Sequence, residues 1–222
     1  MTQRLLLEIE SLKKQILGLG AIVEERVHNA VKAVSESNLL LARGVLEGDT
    51  EVDSIEVDIE EECLKLLALH QPVALDLRFI IAVLKINNDL ERIGDLAVNI
   101  AHRVAPLSGL PEVRAPFDFQ EMSSRVKTML RNALLALVNR DAKLAGEVLS
   151  SDDEVDTIHR GVYAEICRRL KGEPDNAELL ITLLSVSRNL ERIADHATNI
   201  AEDVIYLLEG DIVRHGRGGR PQ

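Results

Sequence analysis

The sequence predicts an all-α protein of two tandem, pseudo-symmetric three-helix bundles, with six long helices in all. Three observations carry this expectation. Aromatic residues are only 2% of the 222 residues, whereas hydrophobic residues are 46%, a balance that favours helices over aromatic-rich strands. Residues 79–104, FIIAVLKINNDLERIGDLAVNIAHRV, place Phe79, Val83, Ile86, Leu90, Ile93, Ala97, Ile100 and Val104 at alternating steps of four and three. That is the stripe of a helix burying one narrow face. The stripe recurs one hundred positions later as Leu179, Leu183, Val186, Leu190, Ile193, Ala197, Ile200 and Val204. An internal repeat this clear outranks other evidence about fold.

The first helix is expected over residues 5–36, with Ile9, Leu12, Ile16, Leu19, Val23, Val27, Ala30 and Val34 as its stripe. Consecutive four-residue steps at Val23–Val27 are a small stutter, and Gly18 and Gly20 should loosen its middle. A second helix starts at 37–47, bends or breaks at Gly48, and continues over 49–69 with Asp49 as its cap. The continuation buries Val52, Ile55, Ile59, Cys63 and Leu66. His70-Gln71-Pro72 forces a turn, because the residue before proline disfavours the α region. The third helix follows at about 73–105 and completes a first unit over 1–105. Residues 106–116, PLSGLPEVRAP, hold three prolines and a glycine and read as a linker. The pattern then restarts as a second unit over 117–213. Asn29-Ala30 aligns with Asn132-Ala133 and the Asp49–Asp53 run with Asp152–Asp156, both at an offset of 103. Short connections imply up-down-up packing. Residues 214–222, HGRGGRPQ with its preceding arginine, read as a basic, disordered tail.

Charge and cysteine usage narrow the function classes. A net charge of −11 argues against nucleic acid, whose binders carry basic surface. It suits a metal, a basic protein surface or plain solubility. Cys63 and Cys167 stand alone without CxxC spacing and read as reduced core thiols. The N-terminus lacks the apolar run of a signal peptide, and no segment has the ~18 apolar residues of a membrane span. The expectation is a soluble, cytoplasmic protein.

Beside the repeated stripe runs a repeated acidic ladder: Glu91, Asp95 and Asn99 in the first unit, Glu191, Asp195 and Asn199 in the second. Like charges four residues apart cost an isolated helix ~0.2–0.5 kcal/mol per pair. The second helices add Asp49, Asp53, Glu56 and Glu60 in one unit, and Asp152, Asp156 and His159 in the other. Carboxylate rows on adjacent helices, with one imidazole, make a ligand set for hard or borderline divalent or trivalent metals. The ladder is expected to face away from the stripe, on the surface. The competing reading is a solvated acidic face neutralised by Arg92 and Arg192. Glu25-Arg-Val-His28 has the ExxH spacing of di-iron bundles, but the second unit offers only Asp156-Thr-Ile-His159, on a different helix. His102, His196 and His215 read as surface or capping residues. Phosphate loops, nucleophile elbows and Cys/His dyads are missing from the sequence, and nothing in it reads as a nucleophile.

The stretches ALHQPVALDLRFIIAVLKINNDLERIGDLAVNIA (68–101) and RNLERIADHATNIAEDVIYLLEGDIVRH (188–215) closely resemble the PhoU family of phosphate-specific transport accessory and regulatory proteins, and the resemblance spans essentially the whole chain. It implies a cytoplasmic, often homodimeric, six-helix protein that is not an enzyme. Its implied role is negative regulation of phosphate uptake and of the phosphate-starvation two-component response. The implied partners are the ATPase subunit of a phosphate ABC transporter and a sensor histidine kinase, with membrane contact only through them. The family's E(D)xxxD motifs bind multinuclear metal clusters in some members. They map onto Glu91/Asp95 and Glu191/Asp195, with Asp49/Asp53 and Asp152/Asp156 as matching acids. Glu56, Glu60, Asn99, His159 and Asn199 are further candidate ligands, and Fe, Mn, Zn or Mg the candidate metals. His159 departs from the repeat, since the first unit has Glu56 there. Two alternatives stand beside this reading: a metal-dependent carboxylate-bundle enzyme and a metal-free helical scaffold.

Overall fold

The computed structural model describes residues 3–108 and 119–210. It consists of α1 (Gln3–Ser35), α2 (Leu39–Glu47), α3 (Asp49–His70), α4 (Ala74–Ala101), α5 (Val104–Ser108), α6 (Phe119–Asn139), α7 (Ala142–Gly172) and α8 (Ala177–Glu209). A 3₁₀ turn at Pro174–Asn176 leads into α8. The chain is all-α, with six long helices once α2 and α3 are counted as one path. Of the expected linker, 106–108 lie in α5 and the remainder falls outside the described residues, as does the tail at 214–222.

The two halves use the same local devices. Ser37 and Arg140, equivalent in the repeat, both take positive φ of 50° and 55°. Each is two or fewer residues ahead of a cap: Asn38 Oδ1 accepts from Leu41 N, and Asp141 Oδ1 from Leu144 N, both at 3.0 Å. A side chain accepting from the third residue on satisfies one of the unpaired donors at a helix start. The halves then differ. α7 runs 31 residues unbroken, whereas α2 and α3 part at Gly48. Asp49 is not the cap expected of it. Gly48 takes that position without a side-chain bond, and Asp49 begins the helix. The reason for glycine is steric: a Cβ there would lie 2.6–2.9 Å from the guanidinium of the buried Arg26.

Gly18 and Gly20 do not interrupt α1, which continues through both for 33 residues. Gly20 instead serves packing. A Cβ at this position would overlap the Leu134 side chain of α6, so the missing methyl lets helices of opposite halves approach closely.

All the stripe residues of α1, α4 and α8 are buried. The burial is nonetheless wider than one narrow face. α4 also buries Ile80, Ala82, Asn87, Gly94, Leu96 and Ala101, and α8 also buries Leu180, Ser187, Asn189, Ala194, Ala201 and Asp203. The cause is contact between the halves, α4 packing on α8 and α1 on α6. One hydrophobic core therefore runs through helices of both repeats. Only Val162, Ile166 and Leu180 form a small separate cluster among the described residues. The two three-helix units of the repeat therefore share one core.

Polar ties cross the same interface. Lys85 Nζ donates to Asp203 Oδ1 at 3.0 Å and lies 5.3 Å from the Tyr206 ring centre. His196 Nδ1 and Asp89 Oδ1 are 2.8 Å apart. His196 is thus an inter-half contact and not the surface or capping residue expected, whereas His102 does end α4 as a cap. His215 lies outside the described residues. Cys63 is a buried core thiol whose pKa burial pushes up to about 12. Cys167 is only half-buried.

Candidate functional site

The acidic residues gather along two equivalent seams, one between α3 and α4, the other between α7 and α8. Antiparallel pairing sets the register. Asn87 on α4 donates to the Glu56 carbonyl at 2.8 Å, and Gly94 packs against Val52. Residues of α3 and α4 whose numbers sum to roughly the same value therefore lie level, which brings Asp49, Asp53 and Glu56 opposite Asp95 and Glu91. The second seam repeats this with Asp152, Asp156 and His159 opposite Asp195 and Glu191.

The side chains feel one another. Burial raises the Asp49 carboxyl above its ordinary range, helped by Asp53 and Asp95. Burial and then Asp95 raise Glu91, with Asp53 and Glu56 adding to it. Glu56 is raised by burial and by its neighbours Glu60 and Asp53. In the second seam Asp152 is pushed up to about 6, by burial first and then by Asp156 and Asp195. Glu191 and Asp195 shift the same way, burial again leading. Desolvation and like charge both penalise the ionised form.

The ladder does not face away from the core, as expected. It flanks the stripe and sinks partly into the seam. Glu91 and Glu191 are half-buried, and in each the Oε2 atom is buried without a hydrogen-bond partner. Arg92 Nε stands 3.4 Å from Glu91 Oε2, outside hydrogen-bond alignment, and Arg92 Nη1 is 3.6 Å from Asp95 Oδ2. In the second half the neutralising cation is Arg188, which donates to Glu191 Oε1, more than the expected Arg192. The i, i+3 spacing of Arg188 and Glu191 was a usable signal for this.

Not every candidate joins the seams. Asn99 and Asn199 are exposed, and Asn199 Nδ2 turns to Asp89 Oδ1 at 3.5 Å. Glu60 is exposed at the margin of the first seam. Glu25 and His28 are exposed on α1, on a different helix from Asp156 and His159, so no pair of ExxH helices faces inward. Three contributors escape the sequence reading. Arg26 reaches Glu51 Oε2 at 3.1 Å and offsets the upward shift of Asp49. Asn87 and Ser187, at equivalent positions, hold Glu56 and His159.

Among the described residues, no three His, Cys, Asp or Glu side chains converge closely enough to hold one metal ion as they stand. The donor set itself is suited to hard cations: carboxylate oxygens in excess of local cations, two of them buried and unsatisfied. A buried acceptor without a partner costs roughly 1–3 kcal/mol, and a cation would remove that cost.

These shifts set a pH dependence in metal-free protein. Folded Asp152 keeps its proton up to about pH 6, whereas an unfolded aspartate releases it near ~3.9. The native state holds more protons between those values, so this group's contribution falls as pH rises through the window. The expected difference is about 1 kcal/mol, after discounting for the solvent-exposed share of the site. Urea melts of chelator-treated wild type and Asp152→Asn at pH 4.5 and 7.5 check it, the variant gaining on wild type only at the higher pH. Comparison with the variant matters because Glu8 and Glu165, both lowered by arginine hydrogen bonds, titrate in the opposite sense.

Comparison with known proteins agrees with the repeat. The model of the PhoU domain matches twice, at residues 16–104 and 119–204. A phosphate-specific transport system accessory protein PhoU homolog of Aquifex aeolicus is 39% identical over 96% of this chain and 96% of its own. The homolog of Pseudomonas aeruginosa is 38% identical, covering 94% of this chain and 86% of that protein. Among solved structures, PhoU from Pseudomonas aeruginosa superposes with a TM-score of 0.86 at 37% identity, over 92% of this chain and 98% of that one. The phosphate transport system regulatory protein PhoU from Streptococcus pneumoniae gives a TM-score of 0.86 at 30% identity, over 94% and 99%. The chain belongs to the PhoU family.

Proposed function

We propose that this protein is a non-enzymatic accessory protein of a phosphate transport system, a negative regulator whose two acidic seams hold metal cations. The observation that carries the metal part is the repetition itself. Both halves keep four carboxylates per seam at equivalent positions, and both leave the same glutamate oxygen buried and unsatisfied. Asp49, Asp53, Glu91 and Asp95 would hold the cation in one half, and Asp152, Asp156, Glu191 and Asp195 in the other. Glu56, in the first, and His159, in the second, stand beside them. Bound metal would supply positive charge that fixes these side chains and the seam between the two helices. Fe, Mn, Zn and Mg all suit carboxylate donors to differing degrees.

The regulatory part is supported by the names of the relatives, which are accessory and regulatory proteins of phosphate transport. On this reading the chain acts in the cytoplasm as a homodimer, bridges the transporter's ATPase subunit and a sensor histidine kinase, and meets the membrane only through them. Among the described residues no helix is long and apolar enough to cross a membrane. An enzyme working from the bundle interior is disfavoured. The core is almost wholly apolar, and the buried Asp203 is engaged by Lys85. Affinity capture of a phosphate ABC transporter ATPase subunit by purified full-length protein tests the adaptor role. Capture with metal supplied, weakened by chelator and by neutralising the seams, is the expected result. Capture unaffected by either would detach the metal from the role, and no capture would remove the adaptor.

A further inference from the structure

Where α1 of the first half packs on α6 of the second, a cleft of about 460 Å³ opens on helices that form neither acidic seam. Its walls include Glu24 and His28 on α1, and Ser123, Lys127, Thr128 and Arg131 on α6. The two helices run antiparallel: Gln120 meets Ser35, Lys127 meets Glu24 and Leu134 meets Gly20. Lys127 is also the repeat counterpart of Glu24, and Arg131 that of His28, at the offset of 103. In a chain of net charge −11, the α6 wall therefore sets two fixed cations four residues apart, a spacing at which like charges repel.

The donors on this wall are uncommitted. Ser123 is only 2% exposed yet lines the cleft. A helical hydroxyl commonly returns its proton to a carbonyl one turn back, as Thr128 does to Ser124. Ser123 makes no such bond, and among the described residues its hydroxyl has no partner. Lys127 Nζ stands 3.8 Å from Glu24 Oε1, too far for a hydrogen bond. Arg131, at the exposed rim, forms no ion pair among the described residues. His28, exposed opposite, carries a ring N–H in either neutral tautomer.

An ammonium, a guanidinium fork and a nearly buried hydroxyl together suit an oxoanion. Glu24 narrows the choice. Its carboxylate repels an anion that has no proton to give, and accepts a hydrogen bond from one that has. Sulfate and dianionic phosphate esters hold no such proton above neutral pH, whereas inorganic phosphate keeps one P–OH. We infer that the cleft between α1 and α6 binds inorganic phosphate, with Lys127, Arg131 and the Ser123 hydroxyl holding its anionic oxygens and Glu24 accepting from its P–OH. The cleft is roomier than one anion, so the bound ion keeps part of its hydration through bridging waters. Its walls come from both halves, so occupancy bears on their junction. Neither metal in the seams nor the adaptor role is needed for it.

The test uses full-length protein stripped of metal by chelator and then dialysed, so that phosphate carried by seam-bound cations does not contribute. Equilibrium dialysis with radiolabelled phosphate, at pH 8 and constant ionic strength, measures binding against sulfate and phosphoserine as competitors. Wild type is expected to bind phosphate, with both competitors at least about 10-fold weaker, the worth of one hydrogen bond to a charged group. Lys127→Gln and Arg131→Gln should each weaken phosphate about 10-fold for the same reason. Glu24→Gln should cut the preference over sulfate to about 3-fold or less, because an amide can donate where the carboxylate only accepts. These side chains are exposed or half-buried, and far-ultraviolet dichroism checks that each variant stays folded. Absence of phosphate binding in wild type, equal competition by sulfate or phosphoserine, or undiminished binding in both Lys127→Gln and Arg131→Gln overturns the inference and leaves the metal reading intact.

Discussion

Leu90→Ala is expected to destabilise the whole protein by ~2–5 kcal/mol, and Leu190→Ala by a similar amount, as for fully buried leucines generally. Both side chains are completely excluded from solvent at equivalent central positions. Removing one methine and two methyl carbons loses their transfer free energy and leaves a cavity that long, rigid helices fill poorly. The more diagnostic feature is the shape of the transition. α4 and α8 pack directly on each other inside one core, so loss in one half reaches the other. Each variant should melt in a single step, with fluorescence-independent probes such as far-ultraviolet dichroism and hydrogen exchange in both repeats moving together. Two separated transitions, with only the mutated half shifted, would mean that the halves fold independently. A change under half a kcal/mol would mean that the wrong face has been assigned to the core.

Metal should stabilise the protein by a comparable amount. A cation that binds only the folded state contributes RT ln(1 + [L]/Kd), about 2.7 kcal/mol at a hundredfold excess over Kd. Glu91→Gln with Asp95→Asn removes two charges from the first seam, where Asp49 and Glu91 are already raised by burial and by neighbouring carboxylates. The metal-free double variant is therefore expected to be as stable as wild type or slightly more so, because neutralisation relieves repulsion. With metal present the order reverses, since the variant has lost the first seam's linkage contribution. The matching pair, Glu191→Gln with Asp195→Asn, should behave likewise at the second seam. Each pair should abolish binding only at its own seam, although both report on one global melt. Thermal scans with and without added metal read this reversal. A variant less stable than wild type in chelator would show that the carboxylates act as structural ion-pair partners of Arg92 and Arg188.

Much of this was legible in the residues, and the failures have definite causes. The repeat and the stripes of α1, α4 and α8 follow from periodicity, because a buried helix face must be apolar whatever its partner. Periodicity does not say how many partners there are. Ile80, Leu96, Leu180 and Ala201 lie off the predicted stripe yet are buried, because α4 and α8 each pack on two sides. Gly20 reads as a weak point in sequence, and only the closeness of Leu134 shows it to be a packing device. Gly48 is similar, its meaning supplied by Arg26. In the seams, spacing reveals the acids but not their depth, because a side chain at the edge of a stripe can be covered by the neighbouring helix. The contacts of Ser187 with His159 and Met122 join three helices, and no spacing within one helix can reveal them.

The most direct test of the central claim, that the repeated acidic seams are metal sites, is elemental analysis of full-length protein purified without chelator. Wild type should be measured beside the variant carrying Glu91→Gln, Asp95→Asn, Glu191→Gln and Asp195→Asn. A first-row transition metal or magnesium is expected on wild type in a reproducible ratio to protein, and none above background on a folded variant. Metal at equal levels in both proteins, or in neither even after calorimetric titration with Fe, Mn, Zn and Mg, would contradict it and leave the seams as solvated acidic faces.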